Sequence, residues 1–163
     1  MLKISRIILI IYLTFIVLLT IVGCNKTTGT IKNEKYNDWI YTGDWKNNKP
    51  NGYGIGIMSS NTGLFKYASY EGEWKDGERN GRGFFTTEIF DGTVIRYEGE
   101  FVNGISHGQG ELTTKFSHGH TWTYIGEFKD GSQHGQGREI KSHADGSIIS
   151  DLDGYWEDGE FIE

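Results

Sequence analysis

The sequence predicts an all-β protein, one antiparallel sheet made of tandem β-hairpins, and three observations carry that expectation. A skeleton of aromatic, Gly, aromatic, Gly and then Gly-x-Gly starts at residues 41, 70, 97, 124 and 152, hence 27 to 29 residues apart. Such a period belongs to arrays of supersecondary units rather than to a single globular core. Asp-Gly or Asn-Gly follows the second aromatic in most copies, the strongest short-range hairpin signal. Composition agrees: 24 glycines and one proline suit strands joined by glycine turns.

Within one copy each element has a reason. Tyr70, Gly72 and Trp74 fall two apart, so an extended strand turns them to one face and Glu71, Glu73 and Lys75 to the other. Lys75-Asp76-Gly77 is then a tight turn whose positive φ suits Gly. After the turn, Gly81 and Gly83 bare one face of the returning strand, a slot for a ring from a neighbouring strand. That strand runs through Phe84 to Thr87 into a second turn at Phe90-Asp91-Gly92. The same positions recur at Tyr41, Gly43, Trp45, Gly52 and Gly54, with Asn48 in the turn; at Tyr97, Gly99, Phe101, Gly104, Gly108 and Gly110; and at Tyr124, Gly126, Phe128, Gly131, Gly135 and Gly137. A truncated copy follows at Leu152, Gly154, Trp156 and Gly159. Two strands per unit predict about ten strands, roughly 45 Å of sheet.

This skeleton resembles the MORN repeat, Tyr-x-Gly-x-Trp-x-x-Gly followed by Gly-x-Gly, from Tyr41 to the C-terminus. The resemblance implies an elongated, twisted, single-layer sheet and a binding or scaffolding role rather than chemistry. The copies here are longer than the usual repeat, with the excess in the second turn.

Residues 1–23 stand apart as a signal peptide. Lys3 and Arg6 precede an apolar run from Ile7 to Val22, shorter than a spanning helix requires. Ile21-Val22-Gly23-Cys24 is similar to a bacterial lipobox, which implies cleavage before Cys24 and a diacylglyceryl group on its sulfur. Two or three acyl chains hold a protein durably on a membrane. The alternative is an uncleaved N-terminal anchor helix. Residues 24–38 are polar and read as a flexible linker, and 39–163 as the repeat domain, with Trp39 and Ile40 capping its open end. Localisation follows as lipid-anchored in the cell membrane or outer membrane, the latter favoured by Asn25 after the cysteine. Loss of Lys3 and Arg6 takes the formal charge from -6 to -8, so the domain has no electrostatic footprint for nucleic acid.

The candidate chemistry is sparse. Gly104-Ile105-Ser106-His107-Gly108 spells G-x-S-x-G, but Gly104 and Gly108 are the unit's own turn and slot positions, and the motif needs a strand-to-helix turn. His107 and His134 form a column, and His118 and His120 flank a turn; neither set makes a metal motif, and no cofactor or catalytic residue is assigned. Asp44, Glu73, Glu100 and Glu127 line the face opposite the rings, with Lys46, Lys75 and Lys129 two residues on. They read as a solvated face with cross-strand ion pairs, or alternatively as a groove for a cationic peptide. The resulting expectation is an envelope lipoprotein presenting its sheet to a partner protein. The alternative is a glycan-binding module that uses the aromatic columns. An exposed last strand from Leu152 to Glu163 would also pair end to end with a second copy.

Overall fold

A computed structural model describes residues 28–60 and 63–162. They form one open antiparallel sheet in which every strand lies beside its neighbours in sequence. The strands are β1 (Thr28–Tyr36), β2 (Trp39–Lys46), β3 (Lys49–Ser59), β4 (Tyr67–Lys75), β5 (Glu78–Glu88), β6 (Val94–Val102), β7 (Ile105–Lys115), β8 (Thr121–Lys129), β9 (Ser132–Ser142), β10 (Ile148–Glu157) and β11 (Glu160–Phe161). The expected hairpin units are β2–β3, β4–β5, β6–β7 and β8–β9, with β10 and the two residues of β11 as the truncated fifth.

The short turns are the primed type that matches strand twist, with both central residues at positive φ: Asp76 at 52° and Gly77 at 94°, Asn103 at 50° and Gly104 at 81°. In the first unit Asn47 and Asn48 adopt 52° and 60°, the left-handed region that Asn tolerates best after Gly. Neighbouring turns are joined to one another. Gly77 N–H donates to the Pro50 carbonyl at 2.9 Å, Gly104 to Arg79 at 2.8 Å, Gly131 to Ser106 at 3.0 Å and Gly159 to Gln133 at 3.0 Å. Along the opposite edge the longer turns close on themselves, as where Gly119 N–H meets the Phe116 carbonyl at 2.9 Å.

One element departs from expectation. Residues 28–36, assigned to the linker, form β1 and pair with β2 from Thr28 opposite Lys46 to Tyr36 opposite Trp39. Among the described residues only β2 lies beside it, and its polarity is that of an edge strand, which carries charge as protection. Polar contacts hold it: Asn33 N–H donates to Thr42 Oγ1 at 2.9 Å, and the Tyr36 ring meets Trp45 edge-on at 5.8 Å. The sheet therefore has eleven strands among the described residues. Trp39 lies inside the sheet against Trp74, centroids 5.9 Å apart, and β1 covers the end assigned to it. The signal segment, Cys24 and residues 25–27 lie outside the described residues. Among the described residues no helix is long and apolar enough to cross a membrane.

Candidate functional site

The two faces of the sheet have different chemistry. On one, Tyr41, Trp45, Tyr70, Trp74, Tyr97, Phe101, Tyr124, Phe128 and Trp156 form a single buried cluster, none more than 8% exposed. Each tyrosine stands between its own unit's Trp or Phe and the next unit's. Tyr70 is 5.2 Å from Trp74 and 5.1 Å from Phe101, Tyr97 is 5.0 Å from both Phe101 and Phe128, and Tyr124 is 5.1 Å from Phe128 and 5.2 Å from Trp156. Interplanar angles of 80° to 88° along this row are the edge-to-face geometry that aromatic quadrupoles favour. Trp74 and Trp156 add an indole donor each, to the Gly54 carbonyl at 3.1 Å and the Gly137 carbonyl at 3.2 Å.

The skeleton glycines fall into three sets. A row of one per strand crosses the sheet from β2 to β10, each opposite the next: Gly43, Gly54, Gly72, Gly83, Gly99, Gly110, Gly126, Gly137 and Gly154. Four of them, Gly54, Gly83, Gly110 and Gly137, lie beneath tyrosine rings. A Cβ on Gly83 would stand 2.3 Å from the Tyr70 hydroxyl oxygen, and one on Gly137 2.1 Å from that of Tyr124. The second set, Gly52, Gly81, Gly108 and Gly135, sits in β-bulges where the pairing register shifts, with φ of 106°, 64°, 60° and 59°. Gly77, Gly104, Gly131 and Gly159 make up the third set, in the tight turns.

Each bulge interrupts the ladder, and the skeleton residues fill the gap. The tyrosine hydroxyl donates to the carbonyl of the acidic residue three positions on: Tyr41 to Asp44 at 2.8 Å, Tyr70 to Glu73 at 2.9 Å, Tyr97 to Glu100 and Tyr124 to Glu127 at 3.1 Å. The acidic side chain turns to the other strand, where the Arg82 N–H donates to Glu73 at 3.1 Å and the Tyr53 N–H to Asp44 at 3.3 Å. Glu100 and Glu127 occupy the same place, each with Oε2 within 2.6 Å of where a Cβ on Gly108 or Gly135 would be. This corrects the reading of the acidic column as cross-strand ion pairs. Among the described residues no ion pair joins it to Lys46, Lys75 or Lys129. A bulge gives no hydrophobic period, which is why the pattern alone did not disclose this role. Burial, with the nearby Glu100 or Glu127 charge, pushes the hydroxyls of Tyr97 and Tyr124 up to about 12; those of Tyr41 and Tyr70 are raised too, first by burial.

The aromatic columns are thus core. Sugar stacking on them, the alternative expectation, has no exposed ring to use.

The opposite face is open. Tyr53, Ile55, Phe84 and Ile125 are 39% to 56% exposed on it, around a shallow groove of about 510 Å³ whose walls include Tyr53, Glu71, Arg82, Phe84, Glu98 and Ile125. Its floor is the backbone of the glycine row. Tyr53 donates its hydroxyl to Glu71 at 3.1 Å, holding one wall.

The remaining candidates are scattered. Ser106 lies on β7 opposite Phe101, in a hairpin instead of the strand-to-helix turn its motif would need. His107 Nδ1 stands 3.5 Å from the Asp130 N–H at the tight-turn edge. His118 and His120 contact each other at 4.6 Å, and His143 from the next long turn joins them, its Nδ1 3.4 Å from His120 Nε2. Sequence reasoning missed His143 because it occupies the first turn position, held by Ile89 and Phe116 in the other units. No group of three His, Cys, Asp or Glu among the described residues is arranged to hold a metal ion. Arg79 was also missed. Its guanidinium lies over Phe85 at 4.9 Å and Phe101 at 5.3 Å and donates to the Gly104 carbonyl, where other units have Pro50, Ser106 and Gln133.

An open, single-layer row of hairpin units with one face packed as a ring core and a grooved outer one is the architecture of a repeat-based binding or scaffolding module. The family model of the MORN repeat matches residues 41–55, 70–88, 97–115 and 124–142, so the chain carries MORN repeats in these four stretches. No curated protein matches the chain.

Proposed function

We propose that this protein is a lipid-tethered envelope scaffold, held by an acylated Cys24, whose open sheet face docks an extended segment of a partner protein. The observation that carries the docking part is the asymmetry of the sheet. Rings and tyrosine hydroxyls on one face are committed to the fold, whereas Tyr53, Phe84 and Ile125 leave apolar surface on the other. Glu71 and Glu98 flank that surface with Arg82 between them, and the net charge is negative. A segment alternating apolar and basic side chains fits, since alternate residues of an added strand would enter the groove.

The lipobox resemblance supports the tether. With β1 beginning at Thr28, four residues from Cys24 to Thr27 separate the acyl group from the sheet. At full extension they reach about 14 Å, so the array stays close to the bilayer and not lifted well clear of it.

The test is crosslinked affinity capture of the tagged full chain, with mass spectrometry of its N-terminal peptide and of the proteins retained. The proposal expects an acylated peptide starting at Cys24 and a partner lost when Phe84→Ser and Ile125→Ser are combined. An unmodified N-terminus, or membrane retention of Cys24→Ser, would reject the tether. Unchanged capture by the double variant would reject the docking face.

A further inference from the structure

One junction departs from the repeat on the ring face itself. The returning strands set Gly56 opposite Tyr70, Phe85 opposite Tyr97 and Leu112 opposite Tyr124. β9 carries Glu139 at that place, between Tyr124 on one side and Leu152 on the other. Glu139 is 5% exposed, a carboxylate where the other units have glycine or an apolar side chain. Two residues before the skeleton tyrosine, β8 carries Trp122, where the two units before it have Ala68 and Ile95. No other unit has this pair, so the sheet does not require it.

Both side chains line a cavity of about 400 Å³ whose walls also include Phe116, His118, Lys141 and Ile149. Its size is that of a small-molecule site, about 300–1,000 Å³. One wall is aromatic: Phe116 stacks on His118 with centroids 5.5 Å apart. Two polar features of the cavity are unlike the rest of the ring face. The indole nitrogen of Trp122 is buried and has no hydrogen-bond partner among the described residues, a state that native proteins seldom leave unexplained. The buried Glu139 carboxylate is paired with Lys141 Nζ at 2.6 Å, from a side chain that is itself 48% exposed. Lys141 stands directly opposite Trp122 in the ladder.

We infer that this cavity binds a primary amino alcohol with an apolar or aromatic tail, and that Lys141 holds the ammonium position in the free protein. A buried carboxylate needs a cation beside it, and the chain's own ammonium shows which kind the position takes. The ligand's ammonium replaces Lys141 at Glu139, and the lysine head swings fully into water on its flexible stem. Its withdrawal uncovers the indole N–H across the ladder, which donates to the ligand's oxygen. The tail lies against Phe116 and Ile149, which are 38% and 48% exposed in the free protein. An anionic ligand would meet Glu139 and be repelled. The cavity is on the ring face, opposite the groove proposed for partner docking, and the two readings stand or fall separately.

The test is calorimetric titration of the full chain in detergent at neutral pH, with phenylethanolamine as the probe. The expected result is one saturable site with a dissociation constant on the order of 1 mM or tighter. Styrene glycol, which carries a hydroxyl in place of the ammonium, should bind at least about tenfold more weakly, and phenethylamine, which lacks the oxygen, about three- to tenfold more weakly. Absence of saturable binding, or equal affinity for styrene glycol, would overturn the inference without any substitution. Glu139→Gln should weaken the probe at least about tenfold. Lys141→Met should tighten it about three- to tenfold, because the internal ammonium no longer competes for the site. Opposite signs are the mark of a ligand site that the lysine occupies; two variants that moved affinity in the same direction would reject that role. The indole N–H resonance that disappears in Trp122→Phe should shift with saturating probe in the unsubstituted chain, and a resonance that stays in place would reject the placement. Far-UV circular dichroism of each variant confirms that the sheet is intact.

Discussion

The same strands present two faces, and only one of them specifies the fold. On the ring face the four skeleton tyrosine hydroxyls and the indoles of Trp74 and Trp156 have internal partners, and the tyrosines pack between Trp or Phe rings of two units. On the open face Tyr53, Phe84 and Ile125 lie 40% to 56% exposed. The difference teaches that a single-layer sheet can draw its packed core from one side alone. The glycine row lets rings lie against backbone, so the ring layer serves as the second layer that a sheet normally requires. The other side is then free to vary.

The sharpest way to break the ring face is to fill a slot. Gly83→Val or Gly137→Val drives a side chain into a buried tyrosine that has rings on both sides. We expect a loss of about 4 kcal/mol or more, the overpacking and strain end of single substitutions, seen as collapse of the urea midpoint. Gly146→Val is the control: nothing lies within 4 Å of its added Cβ, and only its φ of 86° resists. That change should cost about 1–2 kcal/mol, the penalty of a left-handed residue.

Next in size is the bulge. Tyr70→Phe keeps the ring but leaves the Glu73 carbonyl without its 2.9 Å donor, a loss of about 1–3 kcal/mol. Tyr53→Phe, which removes an exposed hydroxyl from Glu71, should fall within about 0.5 kcal/mol of neutral. The two tyrosine-to-phenylalanine changes thus differ only by the face they occupy.

Alkali probes the same contrast. Burial pushes the hydroxyls of Tyr97 and Tyr124 up to about 12, above the ordinary tyrosine value of 10.0, so folding favours the protonated hydroxyl. That contribution is fully present below about pH 10 and is lost as pH rises towards 12. The melting temperature should fall over that window, with phenolate absorbance from these residues developing only as the sheet opens. Ionisation of Tyr97 and Tyr124 near pH 10 in the folded protein, together with the exposed tyrosines, would contradict the burial of the ring row.

The ring face was legible in the sequence because its determinants are periodic. Tyr70, Gly72 and Trp74 alternate as strand residues do, and Asp76-Gly77 names its turn. What stayed hidden has no period. Glu73 looked like a solvated carboxylate because its role depends on a bulge two strand positions wide, visible only once Gly72 and Gly83 are seen opposite each other. β1 looked like a linker because an edge strand needs little apolar surface; Thr30, Asn33 and Lys35 carry no alternation that distinguishes them from coil. Arg79 and His143 stand at positions where each unit has a different residue, and repetition can predict nothing where units differ.

The open face should respond least in stability and most in binding. Phe84→Ser and Ile125→Ser remove exposed apolar surface that packs against no core ring, so each should lower the unfolding free energy by no more than about 0.5 kcal/mol. A docked segment would cover these side chains fully, and losing a buried aromatic anchor from an interface costs about 2 kcal/mol or more. The double variant should therefore melt like the parent while partner capture falls at least tenfold. Phe85, one residue along the same strand, supplies the converse. It is partly buried against the ring cluster, so Phe85→Ser should lower stability by about 3 kcal/mol or more and leave capture per folded molecule unchanged. If Phe84→Ser destabilised as much as Phe85→Ser, the two faces would not be energetically separate, and a face free to evolve a partner would not exist.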